Sequence, residues 1–303
     1  MNWFWFAIIA LLCWSGSDFF SKIGCRDAKD KFSHLKMVIA VGVVMGIHAI
    51  IEIIGGVEIS WDTILAYLPV SLLYILSMAM GYLGLRYIEL SISSPICNAS
   101  GALVAVMSLI LGIAEMDHPL QYVAVALACL GVVGLGIVEA TEDQELRSAR
   151  QKASNYKYAK SWLALALPIA YCILDAAGTF ADSIVLDKGL NEDSANVAYE
   201  LTFLAAGIVS FIYTCIIKKQ KLVPKMEAPK YIGAIFETIG QFAYIYALAD
   251  TEHVAMSAPI ISSYCVASVL WSRLFLKEKL SWKHYLAIMV TVCGIIIMGV
   301  FDM

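Results

Sequence analysis

Several ionisable side chains occur inside the long apolar segments of this 303-residue chain. An ionisable group in hydrocarbon is costly, so it faces a cavity or a partner, and it usually marks the path of a solute. The set comprises Asp18, His48, Asp175, Asp182, Glu200, Glu237 and Arg273. Acids outnumber bases, which favours a cation or a proton over an anion as the species bound there.

The clearest polar pattern is a stripe formed by Glu237, Gln241 and Tyr244. Their spacing of i, i+4 and i+7 places all three on one face of a helix. We predict that the carboxylate is a proton or cation site and that the amide and the phenol orient a bound solute. The alternative is a buried, hydrogen-bonded packing cluster.

A second stripe consists of Asp175, Thr179 and Asp182. Asp175 lies deep in its apolar segment, and we predict a role for it in binding or coupling. Asp182 lies close to the end of the segment, where simple hydration would also explain it. His48 is alone on an apolar stretch, where a packing role is the more common one.

The first apolar segment carries Trp14 and Asp18 on a similar face, followed by Lys22. Asp18 is a candidate coupling acid beside an aromatic ring, or it forms an i, i+4 ion pair with Lys22. Glu200 is a candidate coupling acid or reaches outward to the interface. Asn98 contacts the solute or satisfies backbone groups near Pro95.

Aromatic side chains at helical spacing are most often core residues, but some of them are candidates for the wall of a cavity. These are Tyr74, Tyr82, Tyr246, Tyr264 and Trp271.

The composition requires a non-aqueous solvent. The chain is 60% hydrophobic and 15% charged, with a mean hydropathy of +0.77, whereas soluble domains contain about 25% charged residues. We therefore predict an integral membrane protein, with no sizeable soluble domain and no nucleic-acid partner. The eight cysteines form no CxxC pair and are interpreted as small hydrophobic residues, so we expect no metal and no cofactor. The apolar N-terminal segment has no basic n-region and is interpreted as a retained span.

Ten apolar segments are long enough to cross a bilayer as helices. They cover residues 3–23, 36–54, 63–85, 94–114, 119–139, 160–182, 195–217, 231–249, 254–276 and 282–301. The longest connection divides the chain into a five-helix unit at 1–139, a charged linker at 140–159 and a second five-helix unit at 160–303. We number the segments spans 1 to 10.

Basic residues predict the orientation of the spans. Of the 21 Lys and Arg residues, all except Lys188 fall on one side of the predicted membrane. The positive-inside rule makes that side cytoplasmic and both termini external. We expect a bacterial plasma membrane protein.

A repeated stretch relates the two halves. Pro95 and Pro259 are 164 positions apart, and with one residue gapped, three further pairs are 163 apart: Glu115 and Glu278, Gly131 and Gly294, and Gly136 and Gly299. An odd number of spans per half then implies two repeats of opposite orientation. This architecture is typical of secondary transporters, which bind substrate near the midplane between the repeats.

These paired segments resemble the drug/metabolite transporter superfamily, specifically its EamA-like ten-helix branch. The resemblance rests on Ser94-Pro95 and Ala258-Pro259, on the glutamate turns at Glu115 and Glu278, and on the spaced glycines. Trp14-Ser15-Gly16-Ser17 resembles the opening of the family pattern. Lys277 replaces the usual glycine, and better-known members place their termini in the cytoplasm. The glutamates at the turns are expected to brace them rather than to bind solute.

The resemblance and the acids together predict a secondary active transporter of a small amine, amino acid or drug-like solute. We expect proton coupling and alternating access, in which spans 5 and 10 stay peripheral, and a homodimer is possible. A non-transporting sensor or scaffold is the alternative. An intramembrane aspartyl-type enzyme is disfavoured because Asp175 and Asp182 lie on one helix and no Gly-x-Gly-Asp segment occurs.

Overall fold

The computed structural model describes residues 2–25, 30–87, 90–112, 116, 118–141, 162–275 and 280–300. Every regular element within these ranges is helical. Most of the predicted linker lies outside the described residues, as do Glu115, Lys277 and Glu278.

The ten predicted spans all correspond to helices, and we keep their numbers. Spans 1 to 5 are Trp3–Cys25, Ser33–Gly55, Trp61–Leu85, Leu90–Cys97 with Ser100–Ile110, and Pro119–Ala140. Spans 6 to 10 are Trp162–Asp187, Glu192–Phe211 with Ile212–Ile217, Pro224–Leu248, Val254–Ser262 with Tyr264–Phe275, and Trp282–Val300.

Among the described residues, nine helices are long and apolar enough to cross a membrane. Span 8 has 25 residues but is more polar, and it packs against spans 1 and 2. Large apolar side chains such as Ile54, Trp61 and Ile110 are exposed on the outer surface, as expected for a surface solvated by lipid. The protein is therefore an all-α integral membrane protein, as the composition predicts.

Spans 4 and 9 are each broken into two helices, which corrects the prediction of one helix over 94–114. Pro95 and Pro259 lack a backbone N–H and crowd the preceding turn, and the breaks follow within a few residues. Side-chain donors satisfy the carbonyls there, because Asn98 Nδ2 donates to the Ser94 carbonyl at 2.7 Å and the Ser263 hydroxyl to the Pro259 carbonyl at 2.7 Å.

The start of span 8 also differs from the prediction, because the helix begins at residue 224 rather than 231. Pro224 occupies the first helical turn, where its missing N–H costs nothing. Span 7 begins after Asn191, whose side chain accepts from the Ser194 N–H at 3.1 Å, and it ends in the π-helical turn Ile212–Ile217.

The principal helix pairs are span 1 with 8, 2 with 7, 3 with 6, 4 with 9 and 5 with 10. Spans 1 to 5 of the first half correspond to spans 6 to 10 of the second. When each span is exchanged for its counterpart, the same five pairs result. The helices of a pair run antiparallel where several contacts fix their direction. Along spans 1 and 8, for example, Trp14 lies at Gly240, Ser17 at Glu237 and Gly24 at Lys230.

Where spans 5 and 10 cross, a glycine of each helix packs against the backbone of the other helix. A Cβ on Gly131 would lie 2.7 Å from the Thr291 nitrogen and 2.8 Å from the Ala287 carbonyl oxygen. A Cβ on Gly294 would lie 2.6 Å from the Ala124 carbonyl oxygen and from the Ala128 nitrogen. Ala124 and Ala128 precede Ala287 and Thr291 by the same 163 positions that separate the two glycines.

Spans 2 and 7 cross in the same manner. A Cβ on Gly42 would lie 2.8 Å from the Phe203 carbonyl oxygen, and one on Gly207 would lie 3.4 Å from the Val38 carbonyl oxygen. Gly42 and Gly207 are 165 positions apart, and so are Val38 and Phe203. At both crossings, each glycine therefore packs against the backbone of the opposite helix.

Candidate functional site

A cavity lies between the two halves, among spans 1, 3 and 4 of the first and spans 6 to 9 of the second. Its water-accessible volume is about 60 Å³, which is room for about four or five water molecules. One end reaches Ser21, Leu85 and Ser93, close to the loop that follows span 1. The other end reaches Trp14 and Gln241, near the middle of their helices.

Three of the predicted acids, Asp18, Asp175 and Glu237, line this cavity. Each accepts a hydrogen bond from a serine of another span. The Ser94 hydroxyl donates to Asp18 at 2.5 Å, the Ser100 hydroxyl to Asp175 at 2.7 Å, and the Ser17 hydroxyl to Glu237 at 2.6 Å. The serines thus fix the carboxylates on the cavity wall and join spans 1, 4, 6 and 8 through them.

Cationic partners are absent from these carboxylates in the described part of the chain. None of them lies within 4.0 Å of a lysine, arginine or histidine nitrogen there. Lys22 does not form the alternative ion pair with Asp18, because its ammonium donates to the Leu85 carbonyl at 2.9 Å.

Aromatic rings form much of the remaining wall. The residues are Trp14, Tyr74, Tyr82, Tyr171, Tyr199 and Tyr264. Tyr74, Tyr82 and Tyr264 were predicted as wall residues, whereas Tyr171 and Tyr199 were not. Tyr246 and Trp271 do not line the cavity: Tyr246 donates to Asp193, and the Trp271 indole N–H donates to the Ser15 hydroxyl at 3.0 Å.

Three polar groups on the wall lack a hydrogen-bond partner in the structure. They are the Trp14 indole Nε1, the Tyr82 hydroxyl and the Gln241 amide Nε2. Tyr82 and Gln241 are 6% and 3% exposed. An unsatisfied buried polar group costs about 1–3 kcal/mol, so these three groups lower the stability of this conformation.

Tyr244 lies behind the cavity rather than on its wall. Its ring packs against Trp14 with centroids 4.9 Å apart, and its hydroxyl is hydrogen-bonded to the Tyr74 hydroxyl and donates to Thr179 Oγ1 at 3.2 Å. The Tyr67 hydroxyl donates to Asp182 at 2.8 Å in the same region. Asp182 is fully buried, so the interpretation of it as a hydrated residue is wrong.

Glu200 lies outside the cavity, and the alternative in which it reaches outward to the interface is wrong. It is fully buried, and the His48 Nδ1 lies 2.9 Å from its Oε1 and 3.0 Å from its Oε2. His48 is therefore not alone on its stretch. The pair joins spans 2 and 7, on the side of Gly42 and Gly207 away from the basic loops.

Asn98 is 2% exposed and also lies off the cavity wall. Its amide donates to the Ser94 carbonyl at 2.7 Å and to the Ser94 hydroxyl at 3.3 Å. Of its two predicted roles, the structure therefore shows the one in which it satisfies the backbone. Asn98 thus contacts Ser94, the residue whose hydroxyl donates to Asp18.

A buried ionic cluster lies beyond the end of the cavity that reaches Ser21 and Leu85. The Lys36 ammonium lies 2.7 Å from Asp30 and 3.6 Å from Glu227, and the Lys230 ammonium lies 2.8 Å from Glu227. Burial disfavours ionisation of Asp30, but hydrogen bonds from Lys36 and from the Phe32 N–H outweigh it and hold the pKa of Asp30 below its usual value. The cluster ties the loop after span 1 to the starts of spans 2 and 8.

Serines supplied the site contacts that sequence reasoning missed. Ser17, Ser94 and Ser100 are isolated in apolar helices, and their acceptors are 220, 76 and 75 positions away. No local spacing signals such pairs. Among the described residues, no group of His, Cys, Asp or Glu is arranged to hold a metal ion.

Solved structures share the fold. Matches to 28 chains are found, and one structure, titled "Crystal structure of protein", superposes with a TM-score of 0.66. The superposition covers 99% of this chain and 96% of that chain at 14% sequence identity, so it carries the fold alone. No curated protein has significant sequence similarity to the chain.

A family model matches residues 168–300, which span most of the second half. Its description is the EamA-like transporter family. The matched residues include Asp175, Glu200, Glu237 and the second copy of the repeated stretch. Residues 168–300 are therefore similar to the EamA-like transporter family, in agreement with the resemblance that the Pro-to-Gly motif indicates.

Proposed function

We propose that the protein is a secondary active transporter of a small polar or cationic solute, coupled to protons. The observation that carries this proposal is the convergence of Asp18, Asp175 and Glu237, from both halves, on one cavity without a cationic partner in the described residues. A carboxylate binds either a proton or an organic cation, and this competition couples the two. Gln241 and Trp14 share the wall and orient the solute, while Tyr244 supports them.

Alternating access follows from the arrangement of the halves. The reciprocal crossings at Gly131 and Gly294, and at Gly42 and Gly207, support two repeats of opposite orientation related by an axis in the membrane plane. In this proposal spans 1–4 and 6–9 rock about the cavity. Spans 5 and 10 contribute no residue to the cavity wall and stay peripheral. The basic loops face the cytoplasm in this proposal, and both termini face outward.

The test is solute flux in proteoliposomes, scanned over a metabolite panel with and without a pH gradient. Glu237→Gln and Asp175→Asn remove one carboxylate each without changing side-chain volume, and each should abolish flux driven by the pH gradient. Glu58→Gln, at an exposed acid in the loop after span 2, is the control and should retain it. Full pH-driven flux in both cavity variants would overturn the proposed coupling. Absence of flux for every solute would favour a sensor or scaffold.

A further inference from the structure

Asp182 is a buried acid of span 6 that does not belong to the proposed solute site. The residue has no exposed surface. Its Oδ1 accepts a 2.8 Å hydrogen bond from the Tyr67 hydroxyl, whereas its Oδ2 is buried without a hydrogen-bond partner in the structure. None of the described lysine, arginine or histidine nitrogens lies within 4.0 Å of the carboxyl. The carboxyl therefore has no cation beside it and too few donors to stabilise a negative charge.

The carboxyl lies beyond the closed end of the cavity. On span 3 the cavity wall begins at Tyr74, and on span 6 it ends at Asp175. Asp182 follows Asp175 by seven positions, and Tyr67 precedes Tyr74 by seven positions, which is about two helical turns in each case. Asp182 and Tyr67 are thus displaced from the cavity toward the side of the membrane opposite the basic loops.

Tyr74 and Thr179 form a second polar contact between spans 3 and 6. The Tyr74 hydroxyl lies 3.2 Å from Thr179 Oγ1, and the Tyr244 hydroxyl of span 8 is hydrogen-bonded to both groups. Thr179 precedes Asp182 by three positions and lies on the same helix face. The contact between spans 3 and 6 therefore keeps Asp182 away from water.

The other titratable groups near this contact supply no positive charge. Tyr199 of span 7 packs edge-to-face against Tyr74 with ring centroids 5.9 Å apart. Asp175 is the preceding acid on span 6, and it lines the cavity and accepts from Ser100. Asp187 and Lys188, at the end of span 6, are exposed to solvent. Phenols and one further acid are thus the titratable neighbours that the described helices bring to Asp182.

We propose that Asp182 is a proton-binding site outside the solute cavity, and that its carboxyl carries a proton as long as spans 3 and 6 are in contact. A buried carboxylate without a cation is so costly that the neutral acid replaces it. Because Tyr67 donates to Oδ1, that atom is the carbonyl oxygen and the proton is on Oδ2. When the spans part, Oδ2 releases the proton to water, and the ionised form favours the parted state. The movement of the spans rests on the proposed transport function, to which Asp182 adds a coupling site that the solute does not touch.

The first test detects the proton by infrared spectroscopy of the purified full-length protein in detergent at neutral pH. A protonated carboxyl has a C=O stretching band that an ionised carboxylate lacks. Asp182→Asn should remove one such band. Asp62→Asn, the same change at an exposed acid, should remove none. Identical spectra of the wild type and Asp182→Asn in this region would overturn the proposal.

Tyr67→Phe tests the same assignment with the carboxyl in place. Loss of the hydrogen bond to Oδ1 should move the Asp182 band to higher wavenumber, whereas Tyr122→Phe, at an exposed tyrosine, should leave it in place. A band that does not move in Tyr67→Phe would overturn the assignment.

A measurement on the wild type needs no variant to fold. In heavy water, acids on the cavity wall should exchange their protons rapidly, because water reaches the cavity, whereas Asp182 should exchange slowly because the contact between spans 3 and 6 covers it. Exchange shifts the C=O band, so the two classes separate in time. Absence of a slowly exchanging carboxyl band would overturn the proposal.

The second test measures how the proton is linked to the parting of the spans. Ser71 is fully buried and lies between Tyr67 and Tyr74 on one face of span 3, since these residues follow at i, i+4 and i+7. Ser71→Cys would be labelled with a water-soluble maleimide, and mass spectrometry of the peptide that contains position 71 separates it from the native cysteines. The reference is Ser71→Cys combined with Asp182→Asn at the same pH.

Each opening releases one proton when Asp182 is present, so the ratio of the two labelling rates should rise by up to about tenfold per pH unit. The reaction of the thiol itself depends on pH equally in both proteins and cancels in the ratio. A ratio that stays constant with pH would overturn the link between the proton and the contact of spans 3 and 6.

The outcomes are separable from those of the proposed function because neither test uses a solute or a pH gradient. A carboxyl band lost in Asp182→Asn, with no pH-driven flux of any solute in the wild type, would support the proton site and contradict proton-coupled transport. Flux driven by a pH gradient, with identical spectra of the wild type and Asp182→Asn, would support transport and overturn the proton site.

Discussion

The Ser17 hydroxyl donates a 2.6 Å hydrogen bond to the Glu237 carboxylate across 220 positions of the chain. Both residues are buried, at 2% and 9% exposure. This bond is the polar link between spans 1 and 8, and it lies on the wall of the cavity. Whatever binds at Glu237 therefore acts on the packing of the two helices.

Removal of this bond should destabilise the protein measurably. We expect Ser17→Ala to lower the free energy of unfolding by about 1.5–3 kcal/mol, the usual loss for a hydrogen bond to a charged group. The measurement is denaturant or thermal unfolding in detergent. Ser71→Ala is the matched control, because the Ser71 hydroxyl is buried and has no hydrogen-bond partner in the structure. Equal losses in the two variants would contradict a specific role for the Ser17 bond.

The glycines of span 5 give a second prediction. Gly131→Ala places a methyl group 2.7 Å from the Thr291 nitrogen and 2.8 Å from the Ala287 carbonyl, so we expect overpacking to cost about 1–3 kcal/mol of stability. Gly134→Ala, one turn later, meets only the Ala287 Cβ at 3.9 Å and should be neutral or stabilising by up to about 1 kcal/mol. Unfolding in detergent distinguishes the two. A harmless Gly131→Ala would place the span 5 and span 10 contact elsewhere.

Lowering the pH should destabilise the ionic cluster around Asp30. The pKa of Asp30 is lowered in the folded protein, because hydrogen bonds from Lys36 and Phe32 outweigh the opposing effect of burial. Its stabilisation is therefore present above the unfolded-state pKa of about 4 and is lost as pH falls through the lower folded-state value. Asp30→Asn should lose stability at neutral pH and show a smaller further loss on acidification than the wild type. Asp62→Asn, at an exposed acid, should follow the wild-type pH profile, and identical profiles for all three would contradict the prediction.

Glu200 should act on stability and leave solute binding unchanged. Glu200→Gln removes the fully buried carboxylate beside His48 Nδ1, and we expect a loss of about 1–3 kcal/mol in unfolding free energy. Glu52→Gln removes the half-exposed partner 3.6 Å from His48 Nε2 and should cost less than about 1 kcal/mol. Solute flux driven by a pH gradient in proteoliposomes should be unchanged in both. A loss of flux in Glu200→Gln similar to that expected for Glu237→Gln would place Glu200 in the solute site.

Local patterns predicted the parts of the fold that local physics determines. The apolar lengths predicted each span, and the face shared by Glu237, Gln241 and Tyr244 was predicted because helical periodicity is a property of neighbouring residues. Pro95 and Pro259 indicated special points in spans 4 and 9, although the full breaks appear only when the packed helices are seen.

These local patterns do not predict contacts between residues that are far apart in the sequence. The alternative in which Glu200 reaches outward stayed open because nothing in span 7 shows that His48 of span 2 faces it. The choice between an Asp18–Lys22 pair and a cavity role was open for the same reason, since Ser94 and the Leu85 carbonyl come from other helices. The repeated glycines were identified by sequence at Gly131 and Gly294, whereas the pair at Gly42 and Gly207 has little sequence similarity around it.

The reciprocal glycine crossings have a consequence for the conformation that this structure does not show. Two halves related by a local twofold axis can adopt each other's conformations without new contacts at Gly42, Gly207, Gly131 and Gly294, since each crossing maps onto itself. The contact of span 1 with span 8 would then take the geometry now seen between spans 6 and 3, and the reverse would hold. In the proposed transport cycle, a state with its opening on the opposite face of the membrane would therefore arise when the two halves exchange conformations, with these four glycines as the fixed points of the exchange.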